Sequence, residues 1–353
     1  MTEHASAAQI PSVPLEIWRS LYENSLRFLE LRPWESLHDS DIFGVLDPGT
    51  GRTGYCCVLG ALGEVFALCV YLGSEGIEIQ RRMEEADFRL DLDELAAAQF
   101  CLMGEFEDRS SLKKQDLAVI KALGLKFRGR RAYPVFRSYL PGYGPWFLTE
   151  EEAVFLALAF GAAIQFVADF RGNPGILDGH GEDSYLVYQP ARSAGPPLAW
   201  TTSWLSPEPL RKGRILCRPV HQEGLREILS RELTRTAPWE VGSFIMPNAI
   251  ITGEGRPFYA RVLAAVHSQS GIVLTSDTIP SYEDCRDALR DLVLAAIRDQ
   301  QILPKELRVS DPTLAEDLKP IAAKLGFTCS VHRELPALSA VRKAMAIYGR
   351  GGR

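Results

Sequence analysis

The spacing of hydrophobic residues divides the chain into two regions of mixed α and β structure. At residues 15–31 apolar side chains recur every third or fourth position, which is typical of an amphipathic helix that Pro33 would end. Three short runs rich in β-formers follow, at residues 42–46, 55–59 and 65–72. Turns rich in glycine separate them, so this spacing predicts an antiparallel meander.

The rest of the first region is mainly helical. A nearly apolar stretch at residues 153–168 has 16 residues, whereas a bilayer span needs roughly 20. Thr149 and Glu152 form a Thr-x-x-Glu capping box ahead of it, which predicts a buried helix at 149–170 and no membrane contact. The other predicted elements are helices at 78–85, 92–100, 116–123 and 223–233 and a strand pair at 185–188 and 198–204. We interpret residues 14–236 as one α+β domain.

The second region, residues 238–348, has a different order of elements. Three strands are predicted first and are followed by helix, strand, helix and strand. The predicted bounds are 244–251, 259–267, 271–276, 282–299, 307–310, 312–325 and 327–331. This is the order of the ribonuclease H-like fold, with the last two strands added in parallel through right-handed crossovers. The sequence therefore predicts an α+β N-terminal domain and an α/β ribonuclease H-like C-terminal domain.

Two resemblances accompany these patterns. Residues 33–35, 41–45, 54–60 and 70–73, together with 127–129 and 133–137, resemble a family of uncharacterised bacterial two-domain proteins. Asp311 and the run Glu334-Leu335-Pro336 are similar to that family's second domain, and the resemblance implies an organisation without an activity. The phrase Arg256-Pro257 through residues 271–273 resembles the ribonuclease H-like catalytic core of transposases and integrases.

A nuclease of this fold needs several carboxylates around a pair of metal ions, conventionally from the first strand and from the end of the fourth. The predicted first strand supplies none of them over residues 244–250. Asp311 matches the fourth-strand position and is the one catalytic candidate, but an Asp before Pro312 also suits a helix N-cap. We therefore expect a degenerate, non-catalytic ribonuclease H-like domain.

A basic aromatic segment at residues 121–147 gives the main alternative. No acidic residue lies between Asp116 and Glu150. Cations that hold phosphates, interleaved with aromatic rings that stack on bases, are typical of single-stranded nucleic acid or nucleotide sites. The interpretation that we favour is a surface loop at residues 134–145, whose aromatic residues pack on the domain and whose arginines pair with acids elsewhere. The binding candidates are Lys126, Arg128, Arg130, Arg131, Tyr133 and Arg137.

Metal and cofactor motifs add little to this picture. The loop at residues 178–183 gathers three carboxylates and an imidazole that could bind a divalent cation. Its candidates are Asp178, His180, Glu182 and Asp183, and their spacing fits no defined site. The glycines follow neither the dinucleotide nor the phosphate-loop spacing, so no cofactor is predicted.

Composition then limits compartment and partners. The 353 residues include 39 basic and 45 acidic side chains, for a net charge of -6, which disfavours generic binding of polyanions. Seven cysteines without Cys-x-x-Cys spacing and an N-terminus without a signal sequence predict a cytoplasmic protein. We expect a binding or regulatory protein of unknown ligand, with a protein partner as one possibility. The alternative is a nucleic-acid-binding or metal-dependent nucleic-acid-processing protein.

Overall fold

A computed structural model describes most of the chain and separates it into two compact units. The described residues are 13–85, 92–178, 181, 183–191, 199–210, 222–253 and 255–350. The first unit comprises Met1–Arg89, Ala98–Leu140 and Pro145–Arg211, and the second comprises Leu90–Ala97, Pro141–Gly144 and Lys212–Arg353. Both mix helices with strands, as the hydrophobic patterns predict.

The first unit is built on a seven-stranded sheet in the order β5-β4-β3-β2-β1-β6-β7. The β1–β6 pair is parallel and the other neighbours are antiparallel. The strands are β1 Phe43–Leu46, β2 Thr53–Leu59, β3 Ala67–Leu72, β4 Cys101–Glu107, β5 Tyr133–Tyr139, β6 Tyr185–Pro190 and β7 Trp200–Leu205. The helices along this part of the chain are α1 Leu15–Leu31, α2 Gly73–Glu85, α3 Leu92–Ala98, α4 Lys114–Ala122 and α5 Glu150–Gly172. Nearly all of α3 belongs to the second unit. The predicted meander is therefore confirmed, and the strand pair β6–β7 extends the same sheet.

Both faces of this sheet are buried, because alternate residues of a strand pack against opposite sides. On β2, Cys56 and Val58 join the large core formed with α1 and α5, whereas Tyr55 and Cys57 join a smaller cluster with Ile77 of α2. Successive strand residues point to opposite faces. Helices on both sides thus account for the almost continuously apolar strands.

Helix α5 follows the prediction of a buried apolar helix. Its length and composition would allow it to cross a membrane, but much of its surface, including Phe160 and Phe166, is packed inside the unit. The predicted capping box is present, because the Glu152 N–H donates to Thr149 Oγ1 at 3.2 Å and the Thr149 N–H donates to Glu152 Oε2 at 2.8 Å.

Strands β4 and β5 are additions to the predicted set. Gly104 interrupts the apolar run of β4, and a Cβ there would lie 2.5 Å from the Phe160 ring, so glycine permits the helix to pack closely on the sheet. Pro134 lies in β5, an edge strand, where the missing N–H need not interrupt the sheet. The interpretation of residues 134–145 as a surface loop is therefore wrong for the part that forms β5.

The second unit contains a five-stranded sheet in the order β11-β10-β9-β13-β14. Strands β9, β10 and β11 are antiparallel neighbours, and β13 pairs in parallel with both β9 and β14. A separate parallel pair joins β8 to β12. The strands are β8 Thr234–Thr236, β9 Trp239–Ile251, β10 Phe258–His267, β11 Val273–Pro280, β12 Ile302–Pro304, β13 Glu306–Val309 and β14 Thr328–Val331. The helices are α6 Gln222–Leu229, α7 Cys285–Gln300, α8 Pro312–Leu325 and α9 Pro336–Arg350.

Strand β9 begins earlier than the sequence predicts, and this changes which side chains the first strand of the second unit supplies. It starts at Trp239 rather than at Phe244 and therefore carries a carboxylate, Glu240. Trp239 and Glu240 pair with β13 and with the end of β10, so pairing within the sheet extends the strand through residues 239–243, where the local pattern predicts no strand. The statement that the first strand lacks a carboxylate is wrong.

Helix α6 belongs to the second unit, although the predicted domain boundary lay at residues 236–238. Leu225 and Ile228 of this helix pack into the core formed by Trp239, α7 and α8. Within the described residues, the division between the two units falls between Leu210 and Gln222. Burial of the apolar face of α6, and not the Pro238 turn signal, determines which unit it joins.

Candidate functional site

The first unit contains a cavity of about 490 Å³ whose wall combines arginines with aromatic rings. The end of α1, the β2–β3 turn and the segment before β5 supply its residues. We name it the basic aromatic cavity. It is lined by Leu29, Arg32, Trp34, Gly63, Phe66, Arg130 and Arg131.

The aromatic side of this cavity is held by the core. Pro33 begins a 3₁₀ turn directly after α1, and Trp34 on that turn packs against Phe66 with ring centroids 4.5 Å apart. Gly60 has a φ of 144°, and a Cβ there would lie 2.8 Å from the Trp34 Cβ. Glycine at this position therefore lets the β2–β3 turn lie directly against the indole.

Arg131 is the most constrained of the three arginines. Its guanidinium lies 4.9 Å from the centroid of the Phe66 ring and donates to the carbonyl oxygen of Gly63. Its backbone N–H donates to Asp108 Oδ1 at 2.7 Å. These contacts hold a planar cation against the aromatic wall.

The other two arginines are less engaged. Arg32 pairs with Glu35 at 2.9 Å, but the two side chains are 65% and 53% exposed, so the pair is weak. Arg130 is exposed and forms no hydrogen bond or ion pair with the residues that the structure describes. Two guanidinium groups at this cavity are thus available to an incoming anion.

The remaining predicted binding residues divide into exposed and buried ones. Lys126 and Arg128 are exposed. Tyr133 is half-buried, and its hydroxyl donates to the Phe127 carbonyl at 3.1 Å. Arg137 is 6% exposed and donates to both carboxylate oxygens of Asp116, at 2.9 and 2.7 Å. Arg137 therefore forms a buried ion pair and is not part of an exposed basic surface.

A second cavity, of about 700 Å³, lies within the second unit beside β9, the end of β13 and α9. Its wall mixes bases, acids and hydroxyl groups. Among its lining residues are Glu94, Ser243, Phe244, Ser310, Arg333, Glu334, Ser339, Arg342 and Lys343. We name it the mixed-charge cavity.

The carboxylates near the ends of β9 and β13 have structural partners. Asp311 caps α8, because its Oδ1 accepts the Thr313 N–H at 2.8 Å. Glu240 is 3% exposed and accepts the N–H of Leu338 in the first turn of α9 at 3.0 Å. The N-cap interpretation of Asp311 is confirmed, and Glu240 has the same role for a different helix.

Glu94 is the carboxylate that lines the mixed-charge cavity from the segment Leu90–Ala97. One of its oxygens accepts the Ile245 N–H at 3.0 Å, and the other pairs with Arg261 at 3.0 Å. The β9–β10 register shifts between Tyr259 and Arg261, so the carboxylate accepts a strand N–H next to this irregularity. Across the described part of the chain, no three His, Cys, Asp or Glu residues are grouped to hold a metal ion.

The candidate metal loop is only partly described. Asp183 pairs with Arg81 at 3.0 Å, and the Asp178 N–H donates to the Gly175 carbonyl at 3.0 Å within a turn. His180 and Glu182 lie outside the described residues. Asp183 is therefore engaged by an arginine, and Asp178 lies in a turn, where an exposed aspartate is common.

Comparison with known families assigns both parts of the chain. Residues 18–188 match the domain of unknown function DUF7309, and residues 225–346 match the domain of unknown function DUF6930. Each of these matches is to one region of the chain. No curated protein matches it significantly. Neither family description names an activity, so the function has to be argued from the geometry.

The region that matches DUF7309 contains the whole basic aromatic cavity, including residues that sequence analysis missed. Arg32, Trp34 and Phe66 are distant in sequence from the segment that contains Arg130 and Arg131, and the fold brings them together. The left-handed conformation of Arg32 at the end of α1, with a φ of 48°, is visible only in the structure, because Gly or Asn is the usual residue there.

Proposed function

We propose that the protein is a non-catalytic, cytosolic binding or regulatory protein and that its second unit is a degenerate ribonuclease H-like domain. The strand order β11-β10-β9-β13-β14 supports this fold assignment. So do the parallel pairs of β13 with β9 and β14, which α8 connects in sequence. An antiparallel hairpin extended by parallel strands is the arrangement that the predicted element order implies.

The proposal that this domain is non-catalytic rests on the structural roles of the carboxylates near β9 and β13. A two-metal centre requires carboxylates that converge on a pair of ions. Here Asp311 accepts an N–H of α8, and Glu240 accepts an N–H of α9 while almost fully buried. Each of these carboxylates thus accepts a helix N–H, and Glu94, which accepts the Ile245 N–H of β9, is paired with Arg261.

The thiols support a reducing compartment. Six cysteines in the described residues are free, and four of them are buried. Burial raises the pKa of the Cys56 thiol well above its ordinary value, so the thiol stays protonated and acts as a small apolar side chain. A cytosolic location is the compartment in which such thiols persist.

A cleavage assay tests the non-catalytic proposal. The full chain is incubated with Mg²⁺ or Mn²⁺ and labelled single-stranded and duplex DNA, RNA and DNA–RNA hybrid. We expect no cleavage by the wild type or by Asp311→Asn, in which the amide still caps α8. Metal-dependent cleavage that disappears in Asp311→Asn, with an unchanged melting temperature, would contradict the proposal.

Nucleic-acid binding is the second candidate, and the exposed charges before β5 favour it. Lys126, Arg128 and Arg130 are all exposed, and Arg131 lies beside them at the basic aromatic cavity. Replacement of Arg128, Arg130 and Arg131 by Ala should weaken binding of short DNA and RNA strands and reduce its dependence on salt. Unchanged binding in this triple variant would remove the candidate.

A further inference from the structure

Three guanidinium groups meet at the basic aromatic cavity without an acidic residue in its wall. Glu35 forms an ion pair with Arg32 but does not line the cavity, and both side chains of the pair are largely exposed to solvent. Arg130 has no partner among the described residues. Guanidinium forks bind phosphate oxygens through charge-assisted hydrogen bonds, so the polar side of the cavity suits a phosphorylated ligand.

The backbone at two of these arginines is unfavourable for the residue present. Among the described residues, the non-glycine positions with positive φ are Arg32 at 48°, Arg131 at 53° and Gln301 at 55°. The left-handed region is strained for a side chain of this type. A cation near the end of α1 suits the helix dipole, but the dipole does not explain a left-handed arginine there. A left-handed backbone is costly at a residue other than glycine, and it occurs at two of the three arginines of this cavity. Glycine would form either turn more easily, so the conformation indicates that the arginine side chains themselves are required.

The other side of the cavity is apolar and planar. Trp34 is half-buried against Phe66, and the Arg131 guanidinium stacks on the Phe66 ring. Aromatic rings and guanidinium planes are the surfaces on which proteins stack unpaired bases. At about 490 Å³ the cavity lies within the range of roughly 300–1,000 Å³ that holds small molecules.

We propose that the basic aromatic cavity binds one nucleoside phosphate, either as a free nucleotide or as the phosphorylated end of a nucleic-acid strand. Arg32 and Arg130 contact the phosphate, and Trp34 with the stacked Arg131 contacts the base. The inference rests on the nucleic-acid-binding candidate and deepens it, because it names the ligand unit and adds Arg32 and Trp34 to the site. It is independent of whether the second unit is catalytic.

Calorimetric titration of the full chain at low salt tests this site. The probes are the four nucleoside 5′-monophosphates, their nucleosides, inorganic phosphate, and trinucleotides with a 5′-phosphate or a 5′-hydroxyl. We expect at least one monophosphate, or the 5′-phosphorylated trinucleotide, to bind about tenfold or more tightly than phosphate or the matching unphosphorylated compound. A monophosphate that binds indicates a free nucleotide, whereas binding of the phosphorylated trinucleotide alone indicates a strand end.

Two variants separate the cavity from the wider basic surface. Arg32→Gly removes a guanidinium and places glycine where φ is already 48°, so its melting temperature should be equal or higher. Arg130→Ala removes an exposed side chain. Each should weaken binding about tenfold or more. Lys126→Ala and Arg128→Ala are matched controls, because both side chains are exposed cations outside the cavity lining, and each should change binding by less than about threefold.

Three results would overturn the inference. One is the absence of binding by every phosphorylated probe at low salt. Another is inorganic phosphate that binds as tightly as the nucleotides. The third is binding that Arg32→Gly and Arg130→Ala leave unchanged. If oligonucleotides bind and only Lys126→Ala and Arg128→Ala weaken them, the nucleic-acid-binding candidate stands and the cavity assignment fails.

Discussion

The cavities of the two units differ in how their basic residues are compensated. At the basic aromatic cavity of the first unit, no acidic residue lines the wall beside Arg32, Arg130 and Arg131. Glu35 pairs with Arg32 at 2.9 Å from outside that wall, and both side chains of the pair are mostly exposed. At the mixed-charge cavity of the second unit, Glu94 and Glu334 line the same wall as the bases. There Arg342 pairs with Asp93 at 3.0 Å.

The difference shows that the number of cations at a cavity does not decide its role. A partly buried carboxylate within about 4 Å offsets much of the field of a guanidinium, so charges paired in this way stabilise the fold and attract ligands weakly. The exposed pair of Arg32 with Glu35 is screened by water and is weaker. Unpaired cations keep their attraction for an anion. We therefore expect ligand binding at the first cavity and a mainly structural role for the charges at the second.

The largest effect is expected at the buried ion pair of the first unit. Arg137→Ala leaves the carboxylate of Asp116 buried without its two hydrogen bonds from the guanidinium. Loss of one partner of such a pair destabilises a protein by about 3–5 kcal/mol. Urea unfolding followed by circular dichroism measures this change. A double variant, Arg137→Met with Asp116→Leu, should recover a large part of the loss. A loss below about 1 kcal/mol in Arg137→Ala would show that Asp116 is not fully desolvated.

The next effect concerns Asp311 in the second unit. Asp311→Ala removes the acceptor of the Thr313 N–H and should lower the free energy of unfolding by about 1 kcal/mol, within a range of roughly 0.5–2. Asp311→Asn retains a capping oxygen and should be close to neutral. Chemical denaturation of both variants measures the difference. Equal losses in the two variants would mean that the negative charge itself is required.

A smaller effect of opposite sign is expected at the basic aromatic cavity. Arg32→Gly relieves a left-handed backbone at the end of α1 and should raise the free energy of unfolding by up to about 1 kcal/mol. Arg130→Ala should change it by less than about 0.5 kcal/mol. Thermal and urea unfolding measure both. A marked destabilisation in either variant would indicate that these arginines support the fold, and the contrast between the two cavities would then fail.

The smallest effects are expected in the pH dependence of stability. Burial, followed by the nearby charge of Glu107, raises the pKa of Glu105 in the first unit above its ordinary 4.5. Between pH 4.5 and the raised pKa, the folded state therefore binds more protons than the unfolded state. The free energy of unfolding decreases as pH rises through this interval, because the buried carboxyl group loses its proton. Glu105→Gln should therefore stabilise the protein at pH 7, and the gain should vanish as pH falls below 4.5.

The second unit supplies the opposite case. Hydrogen bonds from Arg286 lower the pKa of Asp284, the N-cap of α7, below its ordinary 3.8. Its stabilisation is present above that ordinary value and is lost as pH falls through the lowered pKa. The free energy of unfolding of Asp284→Asn should be lower than that of the wild type near pH 7. The two values should converge as pH falls toward about 2. A constant difference across this range would contradict a role for the charge.

Several elements could be read directly from the sequence. The period of α1, the three meander strands and the capping box of α5 all appear where the local pattern predicts them. Helix α8 has the predicted bounds because Asp311 and Pro312 define its start and Gly326, with a φ of 73°, ends it. These signals depend on residues within one or two turns of each other, so they do not require knowledge of the partner elements.

Other features were decided only by tertiary contacts. Glu240 belongs to β9 because it pairs with β10 and β13, and strand pairing depends on partners that are distant in sequence. Within the basic aromatic segment, Arg137 is buried with Asp116 while Arg130 stays exposed. Arg32 and Trp34 reach the same cavity as Arg130 through the packing of α1 beside the sheet. The sequence determined where charge and aromatic residues occur, and packing determined which charges are paired and which face a cavity, because burial and ion pairing depend on distances between side chains that chain order does not specify.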